Sequence, residues 1–176
     1  MAEPAAQRLF FGLWPDQRTR RALARVAAQS SAHRGRAQHP EDLHITLVFL
    51  GQVTAEQQPC VIDAGDRLKG RPFQLSIDRL AYWKRPRILW CGPSFAPAAL
   101  LELVSGLQSH LRACGFEPEK RAYSPHVTLL RKASPVADCA LPEPLSWAVD
   151  ELVLAASHSG VKAPRYRVLK KWSLGS

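Results

Sequence analysis

"LHITLVFL" occupies residues 43–50 and "PHVTLLRK" residues 125–132, so one short chain twice places a histidine two residues before a threonine, with leucine next, inside an apolar run. The spacing between the two histidines is 126 − 44, or 82 residues. With six histidines and four threonines in 176 residues, independent placement gives about one chance in ten of a single His-x-Thr, and two copies are roughly a hundredfold coincidence. Residues alternate between the faces of a strand, so His44 and Thr46 point together, as do His126 and Thr128, while Ile45, Leu47, Val127 and Leu129 enter the core behind them.

Outward from the two copies, the flanking elements also repeat. "RLFFGLW" (8–14) has the density of a buried strand, and Pro15 opens an amphipathic helix carrying Leu23, Val26 and Ala27 on one side. A polar loop, "SAHRGRAQHPED" (31–42), leads into the first motif strand. Thr54 to Gln57 has the form of a capping box before a helix reaching about Lys69, with Gly70 at its end, and residues 73–83 alternate as a strand. The order then restarts with a strand at 87–92. A helix at 97–115 follows, with Leu100, Val104, Leu107 and Leu111 on one stripe, and then the second motif strand. Each unit continues into a strand around an Asp-containing core, "SIDRLAYW" and "AVDELVLAAS". Two copies of strand, helix, loop, strand are an internal duplication and not a solenoid. Two related lobes would bring the motif strands side by side about a pseudo-twofold axis.

The length predicts a single domain over residues 1–176, able to bury a sizeable core. Glu3 and the short apolar stretch at the start argue against a signal peptide, and no apolar run has membrane-spanning length, so a cytoplasmic protein is expected. Cys60, Cys91, Cys114 and Cys139 contain no C-x-x-C pair and are expected to be reduced thiols, mostly filling core. The formal net charge of +9, carried largely by arginine, favours polyanions and in particular phosphate, which the guanidinium fork matches.

An imidazole near its ordinary pKa of about 6.5 serves as base when neutral and as acid when charged. Two of them across one phosphorus allow in-line attack, one taking a proton from the nucleophile and the other protonating the leaving oxygen. Thr46 and Thr128 would donate to the non-bridging oxygens, with no metal and no cofactor required. A metal site is poorly supported, because His-x-Thr offers one good ligand per strand and nothing recurs to complete a set. A serine hydrolase lacks its G-x-S-x-G elbow. His33, His39, His110 and His158 have no repeated context and are assigned to surface or packing.

The paired "HITL" and "HVTL", the opening "RLFFGLWP", "LVFLG" after the first motif, "SPHVTLLR" around the second and the closing "RYRVLKKW" resemble the bacterial RNA 2',3'-cyclic phosphodiesterases, historically called 2'-5' RNA ligases, of the two-histidine phosphoesterase superfamily. The resemblance implies an α+β bilobal fold, with two pseudo-symmetric lobes whose antiparallel sheets line a central groove and helices outside. It implies hydrolysis of an RNA-terminal 2',3'-cyclic phosphate to a 2'-phosphate, with reversible 2'-5' joining in vitro. It also places the proton donor on His44 and the acceptor on His126. It suggests Arg131 near the phosphate, although strict parity turns Arg131 away from the histidine face; a bulge or the strand's end would reconcile the two. Phe11 and Tyr166 are candidate groove residues, and Trp83, Lys170 and Lys171 weaker ones. The expected partners are RNA 3' ends or nucleotides bearing a cyclic phosphate, tRNA fragments among them, acted on by a monomer without membrane contact. The alternative of another class is a basic RNA-end-binding module in which the histidines only hold phosphate.

Overall fold

Alternating apolar and polar side chains favour strands in several segments of the chain. The computed structural model, which describes residues 6–158, 160 and 162–175, joins nine of them into one antiparallel sheet. In chain order the elements are β1 (Gln7–Leu13), α1 (Gln17–Gln29), β2 (Arg36–Ala37), β3 (Ile45–Val53), α2 (Gln58–Asp66), β4 (Phe73–Trp83), β5 (Ile88–Gly92), α3 (Ala98–Arg112), β6 (Val127–Arg131), β7 (Cys139–Val149), β8 (Glu151–Ser157) and β9 (Tyr166–Ser173). The sheet order is β7-β4-β5-β6-β3-β1-β8-β9, with β2 also on β6.

Two halves are visible in this order, and they match the expected lobes. β3, β1, β8 and β9 form one, and β7, β4, β5 and β6 with β2 form the other. The halves meet between β3 and β6 through the pair Ile45↔Val127. Each repeat lends its last strand to the other half: β4 of the first unit pairs β5, and β8 of the second pairs β1. The helices cross over in the same way, α1 packing on β6 and β7 while α3 packs on β3 and α2. Behind the sheet, Leu23 and Ala27 of α1 and Leu100, Val104, Leu107 and Leu111 of α3 join Leu9, Phe11, Leu13, Ile45, Val127 and Leu129 in one apolar core. The opposite face of the sheet is free to carry a groove. Among the described residues no helix is long and apolar enough to cross a membrane.

Local chemistry explains the element ends. Asp16 caps α1, its carboxylate accepting the N–H of Thr19 at 2.7 Å. The capping box before α2 is formed: Thr54 N–H donates to Gln57 Oε1 (3.1 Å) and Gln57 N–H to Thr54 Oγ1 (3.3 Å). Glycine is required at two equivalent points beside the motifs. A Cβ on Gly12 would sit 2.9 Å from the Ile45 carbonyl oxygen, and one on Gly92 would sit 2.6 Å from that of Pro125.

Several expectations need correction. Cys60 and Cys114 are joined in a disulfide that ties α2 to the end of α3, leaving Cys91 buried and Cys139 exposed as free thiols. Fifty-four residues separate the pair, and helix packing rather than a short motif brings them together. "AVDELVLAAS" is not one strand, because Asp150 stands at the break between β7 and β8. Helix α2 stops at Asp66, short of Lys69. β7 has Pro142 and Pro144 inside it, which reads against a strand, and it lies at the edge of the sheet, where proline is tolerated.

Candidate active site

The middle residue of each motif decides where its neighbours go. Ile45 and Val127 are fully buried and stand opposite each other in register, so His44, Thr46, His126 and Thr128 must emerge on the groove face of the sheet. All four line a single cavity of about 250 Å³, together with Arg8, Phe10, Asp42, Phe49, Arg131 and Tyr166.

Both imidazoles are held the same way. His44 Nδ1 donates to the main-chain oxygen of Asp42 at 2.6 Å, and His126 Nδ1 donates to that of Ser124 at 2.9 Å. A carbonyl only accepts, so in each neutral ring the proton sits on Nδ1 and Nε2 presents a lone pair. Thr46 Oγ1 lies 3.1 Å from His44 Nε2, close enough to donate to it. Burial pulls the pKa of His44 down from 6.5 to about 4. The Asp42 carbonyl opposes this, and the charges of His126 and Arg131 reinforce it. His126 is lowered by the same desolvation, opposed by the Ser124 carbonyl and helped by Arg131.

Arg131 reaches the cavity because β6 is bulged. Opposite β5 the register runs Leu89↔Leu130 and then Trp90↔Thr128, so Leu129 is an extra residue. Leu129 and Leu130 both bury, and the next side chain returns to the groove. The expected departure from strict parity is therefore present. The same device operates in β3. Phe11↔Val48 is followed by Gly12↔Thr46, leaving Leu47 extra, and Phe49 is delivered to the groove. Phe49 stands five residues after His44 as Arg131 stands five after His126. The two lobes thus offer different groups at matching places, an exposed ring (46%) and a guanidinium. Arg8 stacks its guanidinium over Phe49, 5.3 Å from the ring centroid.

Aromatic walls back each histidine. Trp14 stacks on His44 (4.8 Å between centroids, 9° between planes), Tyr166 meets it edge-on at 4.8 Å, and Phe10 tilts against it at 5.0 Å. Trp83 meets His126 edge-on at 4.4 Å. Tyr166 lines the cavity, and Trp83 borders an adjoining one that also includes Phe49 and His126. Phe11 does not belong to the groove. It is one residue out of phase, 0% exposed on the helix side, and packs on Trp172; the groove-facing ring is Phe10. Lys170 and Lys171 do not line the cavity either, being engaged by Asp66 at 2.6 Å and Glu151 at 2.9 Å. His110 donates to the Ala64 carbonyl and His39 accepts from the Glu41 N–H, both away from the groove.

Sequence reasoning missed Phe49, Phe10, Arg8, Asp42 and Tyr123. The equal His-to-residue-five spacing was the available signal for Phe49. Tyr123 donates its hydroxyl to the Thr46 carbonyl at 3.0 Å, fastening the loop before the second motif onto the first motif's strand. Burial raises its pKa well above the ordinary tyrosine value. Among the described residues no group of three or more His, Cys, Asp or Glu side chains is placed to hold a metal ion. The assembled parts are two imidazole lone pairs, two hydroxyls and two guanidinium groups around one small space, the chemistry of a bound phosphoryl group.

Comparison with known proteins follows the same lines. The LigT-like phosphoesterase family model matches the chain twice, at residues 13–90 and 92–166, one match per repeat. An Escherichia coli protein named RNA 2',3'-cyclic phosphodiesterase is 34% identical over 99% of both chains. A Thermus thermophilus protein of the same name is 30% identical over 95% of this chain and 90% of its own. Among solved structures, E. coli LigT complexed with 3'-AMP superposes with a TM-score of 0.88 at 33% identity, covering 97% of this chain and 99% of that one. The same protein complexed with phosphate gives 0.82 at 31% identity over the same shares.

Proposed function

The chain belongs to the LigT-like phosphoesterase family, and from that premise we propose that it opens the 2',3'-cyclic phosphate at RNA 3' ends with His44 and His126 as paired acid and base. It is a cyclic phosphodiesterase, an activity supported by the name its full-length relatives carry. The observation that carries the detailed reading is the delivery of both Nε2 atoms to one cavity that also holds Thr46, Thr128 and Arg131.

Water attacks phosphorus in line with the bond to O3', and His126 Nε2 takes its proton. The P–O3' bond breaks, and O3' receives a proton from His44 Nε2. The products are a 3'-hydroxyl and a 2'-phosphate. Thr46, Thr128 and the Arg131 fork donate to the non-bridging oxygens, where negative charge grows in the transition state. The anionic substrate also offsets the desolvation and cationic neighbours that hold His44 near 4, so the acid gains its proton as the phosphate enters. Phe49 offers the terminal base a flat face, and the complex of E. coli LigT with 3'-AMP is in keeping with a nucleotide in this groove.

The test is an RNA oligonucleotide ending in a 2',3'-cyclic phosphate, incubated in excess EDTA and followed by phosphorus NMR. Turnover to a 2'-phosphate is expected, since no step is assigned to a metal. A 3'-phosphate product would exchange the two histidine roles, and bound but unturned RNA would favour the end-binding module.

A further inference from the structure

Asp42 is a charged residue only 3% exposed, and its two ends tie together parts of the groove more than 120 residues apart in sequence. Its main-chain oxygen receives His44 Nδ1–H at 2.6 Å. Its carboxylate receives the N–H of Arg165 at 2.9 Å (Oδ1) and 3.0 Å (Oδ2), and that of Tyr166 at 3.2 Å (Oδ1). Tyr166 opens β9 and carries the ring that meets His44 edge-on. Asp42 closes a single 3-10 turn, Pro40–Asp42, held by the Asp42 N–H to His39 oxygen bond at 2.8 Å and the Leu43 N–H to Pro40 oxygen bond at 3.3 Å. A carboxylate accepting main-chain N–H groups makes charge-assisted bonds, roughly twice as strong as neutral ones.

We propose that Asp42 is a positioning residue for the reaction: by clamping the first N–H groups of β9, it aims its own carbonyl at His44 and sets the Tyr166 wall against the same ring. The carbonyl that accepts from the second histidine is supported by different means, since Ser124 follows Tyr123, whose hydroxyl donates to the Thr46 carbonyl. Asp42 therefore acts on one imidazole of the pair. The inference rests on the proposed role of His44 as acid, so its test needs a readout that does not depend on turnover.

Three substitutions are compared on a mononucleoside 2',3'-cyclic phosphate. Asp42→Asn keeps the oxygen that receives both N–H groups and is expected to hold kcat within about threefold. Asp42→Ala removes it and is expected to lower kcat by about 10-fold to 100-fold, because a small misplacement of a reacting group is costly. KM should change little, since Arg131, Thr46 and Thr128 are untouched. Asp42→Ser, polar but too short to reach both donors, carries the alanine expectation should the alanine chain not fold. In parallel, the hydrogen-bonded Nδ1 proton of His44, identified by its loss in His44→Ala, is followed by proton NMR. It should persist in Asp42→Asn and broaden or vanish in the folded alanine or serine chain. An unchanged resonance with unchanged kcat in that folded chain would overturn the proposal. Absence of turnover in the wild-type protein would instead count against the catalytic reading and leave the resonance test standing.

Discussion

Ile45 and Val127 pair across the junction of the two half-sheets, each the middle residue of a His-x-Thr motif, and theirs is the pairing recorded between β3 and β6. The contact puts a histidine and a threonine of each lobe on either side of a single point. Spacing between the catalytic candidates is thus set by two buried aliphatic residues and not by a loop.

Ile45→Ala should therefore affect stability and geometry together. Loss of a fully buried isoleucine costs about 2–5 kcal/mol, readable from urea unfolding. Turnover of the folded fraction should fall as well, because the void lies under both imidazoles. A stable variant with wild-type kcat would show that the lobes are held in register by other contacts.

His44→Ala and His126→Ala should each lower kcat by about 10²-fold to 10⁴-fold. The double variant should lose less than the product of the two, since groups acting as a unit are not additive. Steady-state kinetics on a cyclic mononucleotide decides the matter, and full activity in either single variant removes that residue from its role.

Much of this arrangement was legible in the chain because strand parity is local. The motif pair, the repeat order and the burial of Ile45 and Val127 all follow from a two-residue period and from apolar spacing on α1 and α3. Phe11 went wrong for an instructive reason. In "RLFFGLW" adjacent aromatics compete for the two faces, and only the pairing of β1 with β3 decides that Phe10 meets the groove. Arg131 and Phe49 depend on bulges at Leu129 and Leu47, after which Leu130 buries and Val48 partly buries on the core side, and a regular pattern cannot register an extra residue. The Cys60–Cys114 disulfide and the Asp42 clamp join segments distant in sequence, which no local pattern contains.

Stability should fall as pH drops from about 6.5 to about 4. The folded chain holds His44 near 4 while an unfolded chain takes up the proton around 6.5, so the unfolded state binds more protons across that window and stability rises with pH through it. His126, lowered in the same direction, adds to the slope. Asp16, also lowered, keeps its stabilising contribution until the pH falls through the carboxylate range, below this window. Urea unfolding at half-unit steps should show the slope, and His44→Ala should flatten it. Equal slopes in the two chains would place the titration elsewhere.

Thr46→Ala, Thr128→Ala and Arg131→Lys should bind product yet turn over slowly, each by about 10-fold or more, because each loses donors aimed at charge that appears in the transition state. Arg131→Lys keeps the charge and loses the planar fork, so a normal kcat in that variant would reduce Arg131 to a point charge. Normal kcat in both threonine variants would reduce the hydroxyls to strand-formers, for which β-branching is sufficient reason.

Binding a phosphate ester should draw a proton into the groove. In the empty site His44 is neutral at pH 7, held near 4 by burial with the charges of His126 and Arg131 against it. An oxyanion placed between the two Nε2 atoms reverses that balance, since an opposite charge within hydrogen-bonding distance favours the protonated ring. Titration of a 2'-nucleotide at pH 7 in buffers of differing ionisation enthalpy should give apparent binding enthalpies that vary linearly with the buffer, with a slope corresponding to net uptake. The slope should shrink toward pH 5, where the free phosphate ester already carries more protons, and should be much reduced in His44→Ala. A slope of zero at pH 7 would mean that the acid is not charged by the substrate. In that case the proton for O3' would have to come from solvent or from His126.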